Sequence, residues 1–189
     1  MTSVSIIGNG TMGTAIGALA AEGGHTVEFI DRQSTSIAGD IVVLAVPYPS
    51  VAGILAEHGA ALAGKVVVDI TNPLDFATFD GLVVPADGSA ASVIAEALPE
   101  STVLKAFNTN FAATLAAKSV GGSPVTVLIA GDDDAAKRLL SSVLTDAGVT
   151  AIDAGSLKRA RELEALGFLQ LTLAAQEKVG WAGGFALLP

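Results

Sequence analysis

Six residues near the N-terminus, Gly8-Asn9-Gly10-Thr11-Met12-Gly13, constrain this chain more than any other stretch. They follow directly on the β-branched run Val4-Ser5-Ile6-Ile7 and open an Ala-rich stretch, residues 12–22, whose composition favours helix. Strand, G-x-G-x-x-G turn and helix in that order form the opening of a βαβ unit that receives a dinucleotide pyrophosphate. The three glycines act differently. Gly8 permits the tight turn, Gly10 lets backbone come close to the pyrophosphate, and Gly13 lets the helix pack closely on the sheet. The phosphates then face the helix N-terminus, where unpaired N–H groups and the positive end of the dipole favour anions. A glycine loop alone is common. Here a second strand, residues 27–30, ends in Asp31 at the distance where a carboxylate reaches the adenosine ribose.

The rest of the chain keeps that alternation. Further strands are predicted at residues 41–46, 66–70, 103–106, 125–130 and 149–153, and further helices at 50–63, 89–97, 111–118 and 135–147. Alternating strand and helix implies an α/β fold, a doubly wound and mostly parallel sheet with helices on both faces. Half the residues are hydrophobic but only 5% are aromatic, so the core is built from Ala, Val, Leu and Ile, as suits strands buried on both faces. A length of 189 residues fits one domain. Residues 157–189 read as a long helix followed by a tail. Leu157, Ala160, Leu163, Leu166 and Leu173 form an apolar stripe, Lys158, Arg159, Glu162 and Glu164 form a polar side, and Gly180, Gly183 and Gly184 break the pattern. Such a helix packs on its own domain or on a partner subunit, which leaves room for a homodimer.

A net charge of -9 argues against nucleic acid or an anionic membrane as partner, because both are bound through basic patches. The absence of cysteine removes disulfides, thiolate metal sites and thiol nucleophiles together. No basic segment precedes the first strand, and the apolar runs are too short to span a bilayer, so a cytoplasmic location is expected.

In a doubly wound sheet, ligands bind outside the carboxyl ends of the strands. The residues just past those ends are Val46-Pro47-Tyr48-Pro49-Ser50, Asp69-Ile70-Thr71-Asn72-Pro73 and Ala106-Phe107-Asn108-Thr109-Asn110. They combine apolar surface with small polar groups, a rim able to take a flat nicotinamide ring and hydrogen-bond its amide and ribose. Asn108 and Thr109 could instead cap the helix that follows, and Asp132, Asp133 and Asp134 read as caps for residues 135–147 rather than as a metal site. At the adenosine end, Asp31 suits NAD(H), whereas Arg32, with Ser34, Thr35 and Ser36 behind it, suits the 2′-phosphate of NADP(H). Both dinucleotides stay open on this ground. His25 and His58 read as surface residues, no Ser-His-Asp set or metal-ligand spacing is present, and no general base stands out, so no catalytic side chain is assigned.

The chain resembles the coenzyme F-420-dependent NADP oxidoreductase family along nearly its whole length. The resemblance rests on residues 6–13, on 40–48 (Asp-Ile-Val-Val-Leu-Ala-Val-Pro-Tyr), on 67–73 (Val-Val-Asp-Ile-Thr-Asn-Pro) and on 103–109 (Val-Leu-Lys-Ala-Phe-Asn-Thr), continuing through 130–133, 153–157 and 159–164. It implies hydride transfer between NADPH and a deazaflavin whose ring stacks on the nicotinamide, with ordinary flavins as another acceptor class. Proximity and orientation carry such a transfer, and no side-chain base is required. By position, the family's dinucleotide contacts fall on Asn9 to Met12, Asp31 and Arg32, Val46 and Ser50, and near Ile70, Thr71 and Ala112. Two features depart from the family pattern: the short segment between Asp31 and Ile41, and Asp31 itself where the family often has a small hydroxyl residue. Two other functions fit a dinucleotide-binding fold: a reductase or dehydrogenase of a small imine or hydroxy acid, and a redox sensor that binds without turnover.

Overall fold

The computed structural model of the chain describes residues 1–31, 34 and 36–188. A seven-stranded sheet organises it, its strands lying side by side in the order Thr26–Ile30, Ser3–Ile7, Ile41–Leu44, Val66–Asp69, Thr102–Lys105, Thr126–Gly131 and Thr150–Gly155. Its first five strands, β1 (Ser3–Ile7), β2 (Thr26–Ile30), β3 (Ile41–Leu44), β4 (Val66–Asp69) and β5 (Thr102–Lys105), are all parallel. The crossovers are α1 (Thr11–Glu22), α2 (Tyr48–His58) and α3 (Ala90–Ala97). The described residues between Asp31 and Asp40 form no helix, as the shortness of that segment predicts.

Burial on both faces follows from the strand period of two. Ile41 and Val43 enter one apolar cluster, beneath α1 and the C-terminal helices α4 (Ala112–Ala117) and α5 (Asp134–Asp146). Val42 and Leu44 enter the other, with Val51 of α2 and Ile94 of α3. Helix α2 begins earlier than its hydrophobic pattern suggests, at Tyr48, with Pro47 as N-cap and Pro49 in the first turn, where a missing N–H is harmless. It also ends earlier, at His58, and a 3-10 turn (Gly59–Leu62) completes the connection.

The parallel pattern breaks after β5. Helix α4 has only 6 residues, too short for a crossover, and ends on Lys118 in the left-handed region at φ 51°. A small hairpin, β6 (Ser119–Val120) and β7 (Ser123–Pro124), turns through Gly121 and Gly122, both at positive φ. The chain therefore stays at the carboxyl end of the sheet. Strand β8 (Thr126–Gly131) re-enters from there, antiparallel to β5, and β9 (Thr150–Gly155) runs parallel to β8. A 3-10 turn (Leu157–Arg159) leads into α6 (Ala160–Ala175), and residues 176–188 form a tail. Among the described residues no helix is long and apolar enough to cross a membrane.

Candidate functional site

The glycine loop has the geometry its spacing predicts. Gly8 stands at φ +109°, and a β-carbon there would lie 2.2 Å from the carbonyl oxygen of Ala45, so both conformation and space require glycine. A β-carbon on Gly13 would lie 2.1 Å from the carbonyl oxygen of Gly8. Gly10 differs: it is the N-cap of α1, at φ −70°, and a β-carbon would meet nothing within 4 Å. The N-terminus of this 12-residue helix has no side-chain cap and no acidic residue in its first turn. Open space over Gly10 and first-turn N–H groups without a side-chain acceptor fit a pyrophosphate.

Two clefts meet at this loop. One, of about 620 Å³, runs from Gly8 and Asn9 past Asp31 to Val46, Pro47, Ser50 and the far end of α2. The other, of about 410 Å³, starts at Thr11 and Met12 and is walled by Ile70, Asn72, Asn108, Ala112, the Phe111 and Trp181 rings and Leu171. Phe111 and Trp181 pack at 5.1 Å between ring centroids. Asp31 is oriented by Ser34, whose hydroxyl donates to Asp31 Oδ1 at 2.9 Å and accepts the Asp31 N–H at 3.1 Å. Arg32 lies outside the described residues.

Beneath the rim is a charge cluster that sequence reasoning missed. Asp69 and Lys105 are register partners at the ends of β4 and β5, and Glu164 comes from α6. All three are 0% exposed. Lys105 Nζ donates to Asp69 Oδ2 at 2.8 Å, to the Thr71 carbonyl at 2.6 Å, and lies 2.8 Å from Glu164 Oε1. Glu164 Oε2 accepts the Ala90 N–H at 2.9 Å, at the start of α3. Glu164 thus does not belong to the polar side of the C-terminal helix. Burial raises its carboxyl pKa, and Lys105 opposes that rise. A charged residue at a strand end within apolar runs, twice over, is the one signal in the sequence that marks this cluster.

Beside it Asn72 and Asn108 clasp each other. Asn72 Nδ2 donates to the Asn108 carbonyl at 2.9 Å, and Asn108 Nδ2 donates to Asn72 Oδ1 at 3.0 Å and to the Leu163 carbonyl at 2.8 Å. Asn108 and Thr109 therefore do not cap α4, whose N-cap is Phe111 with no side-chain cap. The hydroxyl of Thr71 and the side-chain oxygens of Asn108 and Asn110 are buried with no protein partner.

The remaining candidates separate. Tyr48 packs against the apolar cluster under α2, and burial raises its phenol pKa. His25 is not a surface residue: its side chain is 4% exposed, Nδ1 accepts the Thr2 N–H at 3.1 Å and Nε2 lies 3.2 Å from Asp146. His58 is half-buried on the wall of the larger cleft. In the acidic triplet Asp133 is the N-cap of α5, Asp134 pairs with Lys137, and Asp132 accepts instead from the Leu157 N–H at 2.9 Å. No metal-ligating cluster occurs among the described residues.

A glycine loop between a first strand and helix, on a sheet wound to both sides, defines the doubly wound dinucleotide-binding class. Residues 17–73 match a family model described as NADP oxidoreductase, coenzyme F420-dependent. The F420-dependent NADP reductase of Methanocaldococcus jannaschii is 33% identical over 72% of this chain and 63% of that protein. The rat metalloreductase STEAP3 is 32% identical over 86% of this chain but only 36% of that protein. The chain thus spans less than two thirds of either relative's length. A solved structure of a candidate F420-dependent NADP-reductase from Arthrobacter sp. FB24 superposes with a TM-score of 0.85 at 25% identity and covers 100% of both chains. The chain is thus similar to the coenzyme F420-dependent NADP oxidoreductase family.

Proposed function

We propose that this protein is an NADP(H)-dependent oxidoreductase that exchanges a hydride between the dinucleotide and a flat deazaflavin or flavin. The observation that carries the reading is the pair of clefts meeting at one phosphate-ready loop, the second of them lined, among the described residues, without a titratable side chain. Residues 8–13 and the N-terminus of α1 hold the pyrophosphate. Asp31 and Ser34, with Arg32 between them in sequence, address the adenosine ribose, and Val46, Pro47 and Ser50 line the path beside it. Ile70, Thr71, Asn72, Asn108 and Ala112 form the nicotinamide side, next to Phe111 and Trp181. Bound NADPH supplies the hydride. The protein's part is to exclude water and hold two rings face to face, and the apolar walls of Met12, Ile70, Phe111, Leu171 and Trp181 suit that part. The match to the family model supports NADP(H), and the name of the archaeal relative supports the deazaflavin.

An anaerobic absorbance assay with oxidised F420, run with NADPH and with NADH and repeated with riboflavin 5′-phosphate, tests this reading. Bleaching of F420 that is faster with NADPH is the expected result. NADPH binding without turnover of either acceptor would leave a dinucleotide sensor and overturn the assignment as an oxidoreductase of this class.

A further inference from the structure

Hydride transfer makes no use of the buried charges at Lys105, yet they are completely arranged. The three N–H bonds of the Lys105 ammonium meet three oxygens, on Asp69, Glu164 and Thr71. Asp69 Oδ1 accepts the Thr71 N–H at 2.8 Å. Apolar side chains of similar volume would join β4, β5, α3 and α6 at least as well, because desolvating charges offsets much of what their attraction returns. What apolar side chains would not do is hold Thr71 by both its N–H and its C=O.

The same stretch of α6 also governs the neighbouring residue. Leu163 supplies a carbonyl to Asn108, and three residues beyond Glu164 stands Gly167. A β-carbon on Gly167 would lie 2.2 Å from Asn72 Oδ1 and 2.9 Å from Asn108 Nδ2. A glycine inside a helix is unfavourable by propensity, and here its missing side chain is the space the clasp occupies. Thr71 and Asn72 lie in the loop after β4, where Ile70 and Asn72 line the smaller cleft and Thr71 between them is buried.

The geometry points to α6 as the element that positions the nicotinamide-facing rim: Glu164 acts through Lys105 and Asp69 on Thr71, and Gly167 admits the clasp of Asn72 on Asn108. This rests on the dinucleotide reading of the clefts and assigns Glu164, Lys105, Asp69 and Gly167 as positioning residues.

Calorimetric titration of the whole chain with NADP+ and with 2′-phospho-ADP-ribose, which lacks only the nicotinamide, tests it. In Glu164→Gln and Gly167→Ala the affinity for NADP+ is expected to fall about tenfold, the size of one or two displaced hydrogen bonds, while that for the fragment stays within error. Equal losses for both ligands, or lower melting temperatures with the affinity ratio unchanged, would mean a purely structural cluster and overturn the positioning role. Gly167→Ala changes no charge and introduces a better helix former, so it decides the matter even if Glu164→Gln fails to fold. A wild-type chain that binds the fragment as tightly as NADP+ also overturns the proposal, while leaving the glycine-loop site intact. Binding of neither ligand by the wild type overturns the dinucleotide reading, and the proposal with it.

Discussion

Gly13 rests on Gly8 so closely that a β-carbon on the former would lie 2.1 Å from the carbonyl oxygen of the latter. Neither side can yield cheaply, since Gly8 is itself held against Ala45 by backbone. Gly13→Ala must push α1 away from the sheet, an overpacking change expected to cost about 1–3 kcal/mol. Urea unfolding should show a lower midpoint at unchanged slope, with weaker NADPH binding in the folded fraction. An unaltered midpoint would mean that the first turn of α1 moves freely and contributes nothing to the cradle.

Gly10 separates folding from binding. Its β-carbon would meet nothing within 4 Å and its φ of −70° suits any residue, so Gly10→Ala should leave stability within about 0.5 kcal/mol. Affinity for NADPH should nevertheless fall, because the proposed path of the pyrophosphate crosses the space above Gly10. Gly10→Asp should abolish binding by adding a carboxylate to the anion path. A folded Gly10→Asp chain with full affinity, measured by fluorescence titration, would remove the phosphates from this loop.

Fold and site were unequally legible in the sequence, for physical reasons. Strands such as Ile41–Leu44 announce themselves because each side chain is buried, whichever face it points to, and the glycine loop because backbone geometry dictates its residues. The antiparallel entry of β8 was not legible, since it turns on α4 being only 6 residues long, and the Ala-rich run continues to Lys118. Glu164 was hidden for a different reason. On a helix it looks like its exposed neighbour Glu162, and the N–H groups of Ala90 and Ala91, 74 and 73 residues away, together with Lys105 explain its burial. His25 is the same case on a smaller scale, decided by Thr2 and Asp146. Local pattern reveals what local geometry determines, and long-range pairing of polar groups lies outside it.

The proposed site assigns Asp31 the choice of dinucleotide. Its carboxylate takes a hydrogen bond from the Ser34 hydroxyl at 2.9 Å and lies on the larger cleft. A 2′-phosphate near it would be repelled, whereas ribose hydroxyls could donate to it. Asp31→Ser should therefore raise the ratio of NADPH to NADH affinity by about tenfold, as measured by parallel calorimetric titrations. A constant ratio would place Asp31 outside the ribose contacts.

Glu164 predicts a pH dependence of stability with a defined sign. Burial raises its folded carboxyl pKa above the ordinary 4.5. Between that value and the raised one, the native state holds a proton that the unfolded state has released, so stability falls as pH rises through this window. The exposed Asp40 behaves oppositely. The Ser3 hydroxyl and N–H lower the Asp40 pKa, so its stabilisation is present above 3.8 and is lost as pH falls. Subtracting the Glu164→Gln stability profile from that of the wild type should isolate a downward slope beginning near pH 4.5. A rising difference would show that Lys105 outweighs desolvation at this carboxylate.

Trp181 gives the smaller cleft a built-in reporter, being the one tryptophan of the sequence. It is 56% exposed, packs on Phe111 at 5.1 Å, and is carried on a tail fastened to α6 through Gln170. There the Phe185 N–H donates to Gln170 Oε1 at 3.1 Å while Gln170 Nε2 reaches the Thr109 carbonyl at 3.2 Å. A flat ring entering beside Trp181 should quench its emission, and stacking of this kind is worth about 0.5–1.5 kcal/mol. Trp181→Ala should raise the acceptor KM several-fold to about tenfold, with NADPH affinity unchanged, and Trp181→Phe should recover most of the loss. If instead Trp181→Ala weakens NADPH and acceptor equally, the ring serves the dinucleotide and the acceptor approaches from elsewhere. If it changes neither, the tail packs beside the cleft without taking part in it.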